Sequence, residues 1–241
     1  MTDADLACRL AYEAGDQLLR LRRDCGQEGK DLGRLGDRQA SDFLMAQLAE
    51  FRPDDGVLCE EVLDSLSRLG KSRVWIIDPL DGTREYGEHR ADWAVHVALA
   101  IDGCPSIGAV ALPALGLVHQ GGETPAAIDD DAPLRMLVSR TRPSPDAVAA
   151  AKRLGAAMVP MGSAGAKAMA VLRGEAEIYL HSGGQYEWDS CAPAAVALAG
   201  GLHASRLDGS PLRYNNEDPS LPDLLICRQD LAARVLAALA S

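Results

Sequence analysis

The spacing of apolar residues predicts two helices near the start of the chain, separated by a loop. Apolar side chains from Leu6 to Leu21 recur every three to four residues, the period of one helix face, and predict a helix over residues 2–24. A second helix is predicted from about Asp42 to Phe51. The segment between them, residues 24–39, holds four glycines among many charged residues and is predicted to be a mobile loop.

This predicted loop has two interpretations. It either connects the two helices through solvent, or it forms a lid that brings Lys30, Asp31 or Asp37 to a site elsewhere in the protein. The sequence alone leaves both interpretations open.

The apolar runs that follow are short and predict strands. Residues 57–62 and 73–78 each form a run that ends in acidic residues. Three further runs, at residues 93–102, 107–115 and 116–122, are divided by turn residues. They predict a meander of antiparallel strands.

The second half of the chain alternates between strand and helix patterns. Strands are predicted at residues 133–139, near 156–160, near 176–181 and near 223–227, and helices at about 145–154, 163–174 and 190–200. Helices, then a meander, then alternating elements predict an α/β chain of the layered α+β type. A polar segment at residues 125–133 predicts a boundary between an N-terminal lobe, residues 1–125, and a C-terminal lobe, residues 126–241.

Composition excludes several classes of protein. With 47% hydrophobic and 24% charged residues, the chain has the composition of a globular protein. A net charge of −11 argues against a polymeric nucleic-acid partner, although a bound cation would still allow a small anionic substrate. The longest apolar runs are about half the ~20 residues of a membrane span, so no membrane partner is expected.

The cysteines and the first residues predict a cytoplasmic protein. The six cysteines form neither a CxxC pair nor a zinc-like spacing with histidine, and are expected to be reduced thiols with packing roles. The first ten residues are acidic and lack the apolar core of a secretory signal.

Carboxylates follow predicted strands at three points, and their grouping predicts a metal site. Glu60 and Glu61 end one strand, Asp78 and Asp81 end the next, and Asp189 follows a later change from apolar to polar residues. Carboxylates gathered in this way repel one another unless a cation neutralises them. Hard oxygen ligands suit Mg²⁺ or Mn²⁺ rather than zinc or copper.

The segment WIIDPLDGTREY, residues 75–86, adds a turn that can bind an anion. Pro79 rigidifies this turn, and Gly82 permits a close backbone approach. Thr83 begins a predicted helix whose unpaired N–H groups can hold a phosphate. A metal beside an anion site is the geometry of phosphate chemistry, although each acid taken alone is more often a capped or solvated carboxylate.

Together these segments resemble the inositol monophosphatase and fructose-bisphosphatase superfamily of Mg²⁺-dependent, lithium-sensitive phosphatases. WIIDPLDGTREY matches its D-P-x-D-G-T signature, and residues 188–192 resemble its W-D-x-A-A signature, with Cys191 in a small-residue position. Cys59 stands at the glycine of its Gly-Glu-Glu element, and residues 162–167 match its Gly-Ser-x-x-x-Lys element. The resemblance runs from about residue 30 to 215 and implies alternating α, β, α, β and α layers.

Within the superfamily, the chain resembles the CysQ branch, which hydrolyses 3′-phosphoadenosine 5′-phosphate. Lys167 stands where that branch has a lysine, and the segment from Ser210 to Arg228 resembles its P-L-x-Y-N ending. The branch's V-T-x-A-D run is here residues 39–42, without the threonine. Either Asp42 or Asp37 is then left for the role of that acid in catalysis or at a third metal.

The resemblance implies a hydrolysis assisted by two or three Mg²⁺ ions at each site. It assigns one ion to Glu60, Asp78 and the carbonyl group of Leu80. It assigns a second ion to Asp78, Asp81 and Asp189, so that Asp78 bridges the two.

The resemblance also assigns catalytic and substrate-binding groups. Glu60 and Thr83 would orient the attacking water, and Asp42 is the further catalytic candidate. Five residues are placed at the substrate: Gly82, Thr83, Gly162, Ser163 and Lys167. His96 and His119 lie on strand-like apolar runs and are predicted to be core or edge residues instead.

Several functions fit the same metal site. The motif residues do not separate 3′-phosphoadenosine 5′-phosphate from inositol 1-phosphate or fructose 1,6-bisphosphate as the small phosphorylated substrate. A non-catalytic metal-binding homologue is the alternative from another class, and the intact set of acids argues against it. Family habit suggests a homodimer.

Overall fold

A computed structural model describes residues 1–127 and 132–240 of the chain. In this part of the chain the helices are α1 (Asp3–Asp24), α2 (Gly29–Phe51), α3 (Thr83–Gly87), α4 (Pro145–Leu154), α5 (Ala164–Leu172), α6 (Glu187–Ala199) and α7 (Ala232–Leu239). The strands are β1 (Gly56–Cys59), β2 (Arg73–Asp81), β3 (Ala94–Ile101), β4 (Cys104–Leu112), β5 (Leu117–Gln120), β6 (Arg135–Ser139), β7 (Ala157–Met161), β8 (Ile178–Tyr186), β9 (His203–Ser205) and β10 (Ser220–Cys227). The boundary predicted at residues 125–133 falls partly outside the described residues, and the division into two lobes stays a prediction.

The elements stack in five layers: helices, sheet, helices, sheet and helices. α1 and α2 pack on one face of the first sheet, and α5 and α6 pack on its other face. α5 and α6 also contact the second sheet, and α4 covers the far face of that sheet with α7 beside it. The predicted layered α/β fold is confirmed.

The two sheets differ in strand direction. The first has the order β1-β2-β3-β4-β5, with β1 parallel to β2 and every later pair antiparallel, which confirms the predicted meander. The second has the order β7-β6-β8-β10-β9, with β6 parallel to β7 and β8. β10 is antiparallel to both β8 and β9.

Apolar cores fill the spaces between the layers. Neighbouring residues on a strand point to opposite faces of its sheet, so β2 contributes to two cores. Trp75 packs with Leu10 in the core beneath α1 and α2. Ile76 packs with Val196 and Leu224 in the core between the sheets. The acids at the end of β2 are therefore anchored by a strand that is buried on both faces.

The prediction of a mobile loop before the second helix is wrong, because α2 already begins at Gly29. The glycines that suggested a loop allow the helix to pack closely instead. A Cβ atom added at Gly33 would lie 2.6 Å from Thr83 Cγ2, and one at Gly36 would lie 3.0 Å from Leu80 Cδ2. α2 therefore lies directly against the D-P-x-D-G-T segment.

Other differences from the predicted elements are smaller. β9 and α7 were not predicted, and β8 continues to Tyr186 past Gly183 and Gly184, which both adopt positive φ angles. The six cysteines are free thiols, as expected. Within the residues that the structure describes, no helix combines the length and apolar character needed to cross a bilayer.

Candidate active site at the ends of the strands

Three aspartates converge where β2 ends and α6 begins. One carboxylate oxygen from each of Asp78, Asp81 and Asp189 lies within 4.8 Å of the others. Asp78 and Asp81 are buried, and Asp189 is partly exposed. The structure thus brings together three of the predicted metal ligands, at a spacing that lets each offer one oxygen to a shared cation.

A β-bulge allows Asp78 and Asp81 to share this site. Residues three apart on a regular strand point to opposite faces of the sheet. Here Asp78 pairs with His96 and Asp81 with Ala94, so β2 has one residue more than β3 over this stretch. The extra residue restores both carboxylates to one face. Pro79 lies within the bulge, where the N–H group that it lacks is not needed for strand pairing.

The start of α5 holds Asp81. Its Oδ2 atom accepts hydrogen bonds from Ser163 Oγ at 2.5 Å and Gly165 N at 2.7 Å, and its Oδ1 atom accepts one from Ala164 N at 3.1 Å. His96 Nε2 lies 3.2 Å from Oδ2. A carboxylate at a helix N-terminus is stabilised by the helix dipole. This end of α5 therefore fixes the position of a predicted ligand.

Ser163 adopts an uncommon conformation to make this contact. Its φ angle of 54° lies in the region that non-glycine residues rarely occupy, and its hydroxyl group also caps α5 by accepting a hydrogen bond from Ala166 N at 2.9 Å. Gly82, with φ 89°, faces it closely, since an added Cβ would lie 3.3 Å from Ser163 Cβ. Gly162 precedes it and donates its N–H group to Asp92 Oδ2 at 2.7 Å.

Lys167, predicted to bind substrate, is buried beneath the same turn. Its ammonium group donates to the carbonyl oxygens of Ser163 at 2.5 Å, Gly162 at 3.3 Å and Met161 at 3.4 Å. It also lies 5.1 Å from the centre of the Tyr179 ring. These contacts support the backbone that holds Asp81, and the role of Lys167 toward substrate stays a prediction.

The structure brings Asp37, and not Asp42, to the motif threonine. Thr83 Oγ1 lies 3.3 Å from Asp37 Oδ1 and 3.1 Å from the carbonyl oxygen of Leu80. Asp37 is buried on α2. Asp42 lies five residues further on the helix and therefore on another face, where its side chain is 78% exposed and lies 4.0 Å from Arg38. The alternative that the sequence left open thus favours Asp37 on geometry.

Glu60 follows β1 directly and, although predicted as a metal ligand, lies outside the group of three aspartates within 4.8 Å of one another. The parallel pairing of β1 with β2 sets Cys59 opposite Ile77, and Glu60 donates its N–H group to the Ile77 carbonyl at 3.3 Å. The residue presents surface to solvent, yet loss of water around the carboxyl and the charge of Asp189 raise its pKa to about 8. Glu60 therefore experiences the charge of the aspartates across the site.

The aspartates carry opposing shifts of pKa. Burial and the charges of Glu60 and Asp81 raise the pKa of Asp78 well above its ordinary value. Burial and the charge of Asp81 raise the pKa of Asp189 to about 6. Burial would also raise the pKa of Asp81, but the charge of His96, whose Nε2 lies 3.2 Å from Oδ2, lowers it below the ordinary value. A cation would relieve the repulsion that the cluster otherwise stores.

Asp189 is also a helix cap. Its Oδ2 atom accepts a hydrogen bond from Tyr186 N at 2.6 Å, in the capping box that begins α6. The bond occupies one of its two oxygens and fixes the direction of the carboxylate. Asp189 therefore caps α6 and can still offer its other oxygen to a metal ion.

Sequence reasoning missed the place of His96 in the site. His96 is fully buried, as predicted for a core residue, and His119 is buried on β5. However, the His96 ring connects Asp81 at one nitrogen with the Trp188 carbonyl oxygen, 3.0 Å from Nδ1, at the other. This contact depends on the strand register, which the apolar run of β3 does not reveal.

The residues present fit a divalent cation. The donors are hard oxygens, they lie close together, and burial together with like-charge repulsion shifts the pKa values of Asp78 and Asp189 upward. The carbonyl oxygen of Leu80, which lies between Asp78 and Asp81 in the sequence, accepts a hydrogen bond from Thr83 Oγ1 at 3.1 Å. The arrangement can therefore hold metal beside the turn formed by Gly82 and Thr83.

The whole chain is similar to known phosphatases. The profile of the inositol monophosphatase family matches residues 3–240. A 3′-phosphoadenosine 5′-phosphate phosphatase from Mycobacterium leprae is 50% identical, with 98% of this chain and 93% of the relative covered. A protein of the same name from Mycobacterium tuberculosis is 52% identical, with 95% and 90% covered.

Comparison with solved structures agrees with the sequence match. The crystal structure of CysQ from Bacteroides thetaiotaomicron superposes with a TM-score of 0.81 at 24% identity, covering 94% of this chain and 97% of that one. At this identity the likeness shows a shared fold. The profile match over nearly the full length and the relatives at half identity show more: the chain belongs to the inositol monophosphatase family.

Proposed function

We propose that this chain is a metal-dependent phosphomonoesterase that converts 3′-phosphoadenosine 5′-phosphate to AMP and phosphate. The observation that carries the proposal is its identity of 50% and 52%, over nearly the full length, to relatives named as phosphatases of this nucleotide. Carboxylate oxygens of Asp78, Asp81 and Asp189 lie within 4.8 Å of one another and could hold a metal ion. The positive charge of such an ion supports the proposal, because phosphate-ester hydrolysis requires concentrated positive charge at the reacting group.

The proposed cofactor is Mg²⁺. Glu60, Asp78 and the Leu80 carbonyl would hold one ion, and Asp78, Asp81 and Asp189 a second. When bound, such ions neutralise charge on the phosphate oxygens and make water more acidic. The support is the oxygen-only donor set and the hydrogen bonds that already orient Asp81 and Asp189.

The protein groups would position the reactants. Glu60 and Thr83 would orient the attacking water, with Asp37 holding the Thr83 hydroxyl group from α2. The N–H groups of Gly82 and Thr83, at the start of α3, would bind the reacting phosphate. Gly162 and the α5 turn would line the side of the site that faces the leaving nucleoside.

Lithium inhibition is part of the proposal. Li⁺ is close to Mg²⁺ in size but carries half its charge, so it would occupy an aspartate site and stabilise a leaving oxygen less. Millimolar LiCl should lower the turnover rate at low Mg²⁺ concentration. Full activity under those conditions would remove lithium sensitivity from the proposal and leave the phosphatase activity standing. We also propose that the protein takes part in sulfate assimilation, that it is cytoplasmic and that it forms a homodimer.

A phosphate-release assay tests the proposed function. The purified chain is given 3′-phosphoadenosine 5′-phosphate, inositol 1-phosphate or fructose 1,6-bisphosphate, each in Mg²⁺ and in EDTA. We expect the nucleotide to be hydrolysed fastest, and only with Mg²⁺. Faster release from inositol 1-phosphate or the sugar bisphosphate would replace the proposed substrate, and no release from any of them would favour a non-catalytic homologue.

A further inference from the structure

A second pocket opens beside the acid cluster. It has a volume of about 250 Å³, and both Thr83 and Ser163 line it. Ser163 donates a hydrogen bond to Asp81, so the pocket adjoins the cluster of three aspartates through Ser163, while Thr83 contacts Asp37 on α2. Ligand pockets usually measure roughly 300–1,000 Å³. This one therefore suits part of a ligand whose remainder lies at the aspartates.

The wall of this pocket is basic. Three arginines line it: Arg84 on α3, and Arg140 and Arg142 on the segment after β6. Arg140 is already neutralised, because its guanidinium group lies 2.8 Å from both Glu85 Oε1 and Glu88 Oε2. Arg84 and Arg142 are exposed, and among the described residues neither forms an ion pair.

Lys167 does not offer its positive charge to a ligand in this pocket. Although it borders the pocket, its ammonium group is bound by the carbonyl oxygens of residues 161–163. Arg84 and Arg142 are the lining cations whose charged groups face solvent. Two such groups beside the acid cluster contrast with the net charge of −11 on the whole chain.

The adjoining sites have opposite charge. The aspartates attract cations and, with metal bound, a phosphate, while the pocket wall offers guanidinium groups directly to an anion. This pattern fits a substrate with two separated phosphates. Guanidinium groups bind phosphate oxygens through paired, charge-assisted hydrogen bonds, which makes arginine well suited to the task.

We infer that Arg84 and Arg142 bind the second phosphate of the substrate, the one that does not react. The inference rests on the proposed function, in which that group is the 5′-phosphate of the nucleotide. Arg84 follows Thr83 directly, so the residue that orients the reaction and the residue that binds the remote phosphate are neighbours on α3. Arg84, a determinant of specificity for a bisphosphate, thus lies within the segment WIIDPLDGTREY itself.

Substrates that differ only at the remote phosphate test this inference. Adenosine 3′-monophosphate has the reacting phosphate and lacks the 5′-phosphate. In the Arg84→Ala/Arg142→Ala double variant, kcat/KM for 3′-phosphoadenosine 5′-phosphate should fall roughly tenfold to a hundredfold, and kcat/KM for the monophosphate by less than about twofold. Arg20→Ala is the matched control, because Arg20 is an exposed arginine on α1 already paired with Asp16, and it should change neither value.

Binding of the product provides a second readout. AMP retains the 5′-phosphate, so its affinity, measured by calorimetry with Mg²⁺ present, should weaken in the double variant and stay unchanged in Arg20→Ala. Equal losses on both substrates, or unchanged values for both, would overturn the inference. If the unaltered protein hydrolyses neither substrate, the proposed function fails, and an AMP affinity that is the same with and without the two arginines then overturns the inference as well.

Discussion

The Ser163 hydroxyl group donates a 2.5 Å hydrogen bond to Asp81 Oδ2, across the contact between α5 and β2. Ser163 Oγ also caps α5 by accepting a hydrogen bond from Ala166 N, and the Lys167 ammonium group donates to the Ser163 carbonyl oxygen. One strained serine thus fixes both a helix start and a proposed metal ligand.

Ser163→Ala should lower both stability and activity. Loss of the cap should reduce the free energy of unfolding by about 1 kcal/mol, and loss of the bond to Asp81 should reduce kcat/KM by roughly tenfold or more. The control is Ser144→Ala, which removes a comparable cap, to Ala147 N at 3.3 Å, on α4. Urea unfolding and phosphate release should show similar destabilisation in both variants, with lost activity in Ser163→Ala alone. Equal activities would contradict the assigned coupling.

Gly33→Ala should damage the site although alanine is the better helix former by about 1 kcal/mol. The new Cβ would lie 2.6 Å from Thr83 Cγ2, and rotation of Thr83 away from it would break the contacts of Oγ1 with Asp37 and Leu80. We expect lower kcat and no gain in melting temperature. Gly70→Ala, where an added Cβ meets nothing within 4 Å, serves as the control and should keep full activity. A stabilised, fully active Gly33→Ala protein would show that α2 does not constrain the motif.

Asp37 and Asp42 provide a test of which acid on α2 serves the site. Asp37→Asn removes the carboxyl group beside Thr83 and should lower kcat by roughly a hundredfold, the cost of misplacing a group that positions the reactants. Asp42→Asn changes an exposed residue on another face of α2 and should alter kcat by less than about twofold. The opposite ranking in a phosphate-release assay would restore Asp42 to the role that the resemblance gave it.

Without metal, the protein should lose stability as pH rises from about 4 to about 8, the upper limit being set by the raised pKa of Glu60. Burial and the charge of Glu61 raise the pKa of Asp37 to about 7, and burial and the charge of Asp81 raise that of Asp189 to about 6, against ordinary values of 3.8. The native state therefore binds more protons than the unfolded state in this window, so the free energy of unfolding falls as pH increases.

The pH effect can be measured by urea unfolding in EDTA near pH 5 and near pH 8, with an expected loss on the order of 1–3 kcal/mol at the higher pH. Mg²⁺ should restore stability near pH 8, because it neutralises the ionised acids. Asp37→Asn should reduce the pH dependence in EDTA. A metal-free protein that is more stable near pH 8 would contradict the assigned repulsion.

Local sequence patterns predicted most of the fold, because a strand buried on both faces needs an unbroken apolar run. The run before Asp78 and the run of β3 meet this requirement and were assigned as strands. α2 could not be predicted in full, since Gly33 and Gly36 signal a loop until the surface against which they pack is known. Their role depends on tertiary contact and not on intrinsic propensity.

The metal-binding acids could also be identified from the sequence, but their arrangement in space could not. Asp78 and Asp81 belong to the D-P-x-D-G-T signature and Asp189 to the W-D-x-A-A signature, so the resemblance to a family identifies all three. The bulge that turns Asp78 and Asp81 to one face was not visible, because it exists only in the pairing with β3. His96 was likewise hidden, since its contact with Asp81 follows from that register.

The most direct test of the account is the rate of phosphate release from 3′-phosphoadenosine 5′-phosphate as Mg²⁺ is raised from zero to saturation, in the unaltered protein and in Asp189→Asn. We expect a saturable dependence on Mg²⁺ in the first, and a rate lower by roughly a thousandfold or more in the second, with its fold retained by circular dichroism. Release that persists in EDTA, or an Asp189→Asn rate within about tenfold of the unaltered protein, would contradict the claim that the acid cluster is a metal-dependent phosphatase site.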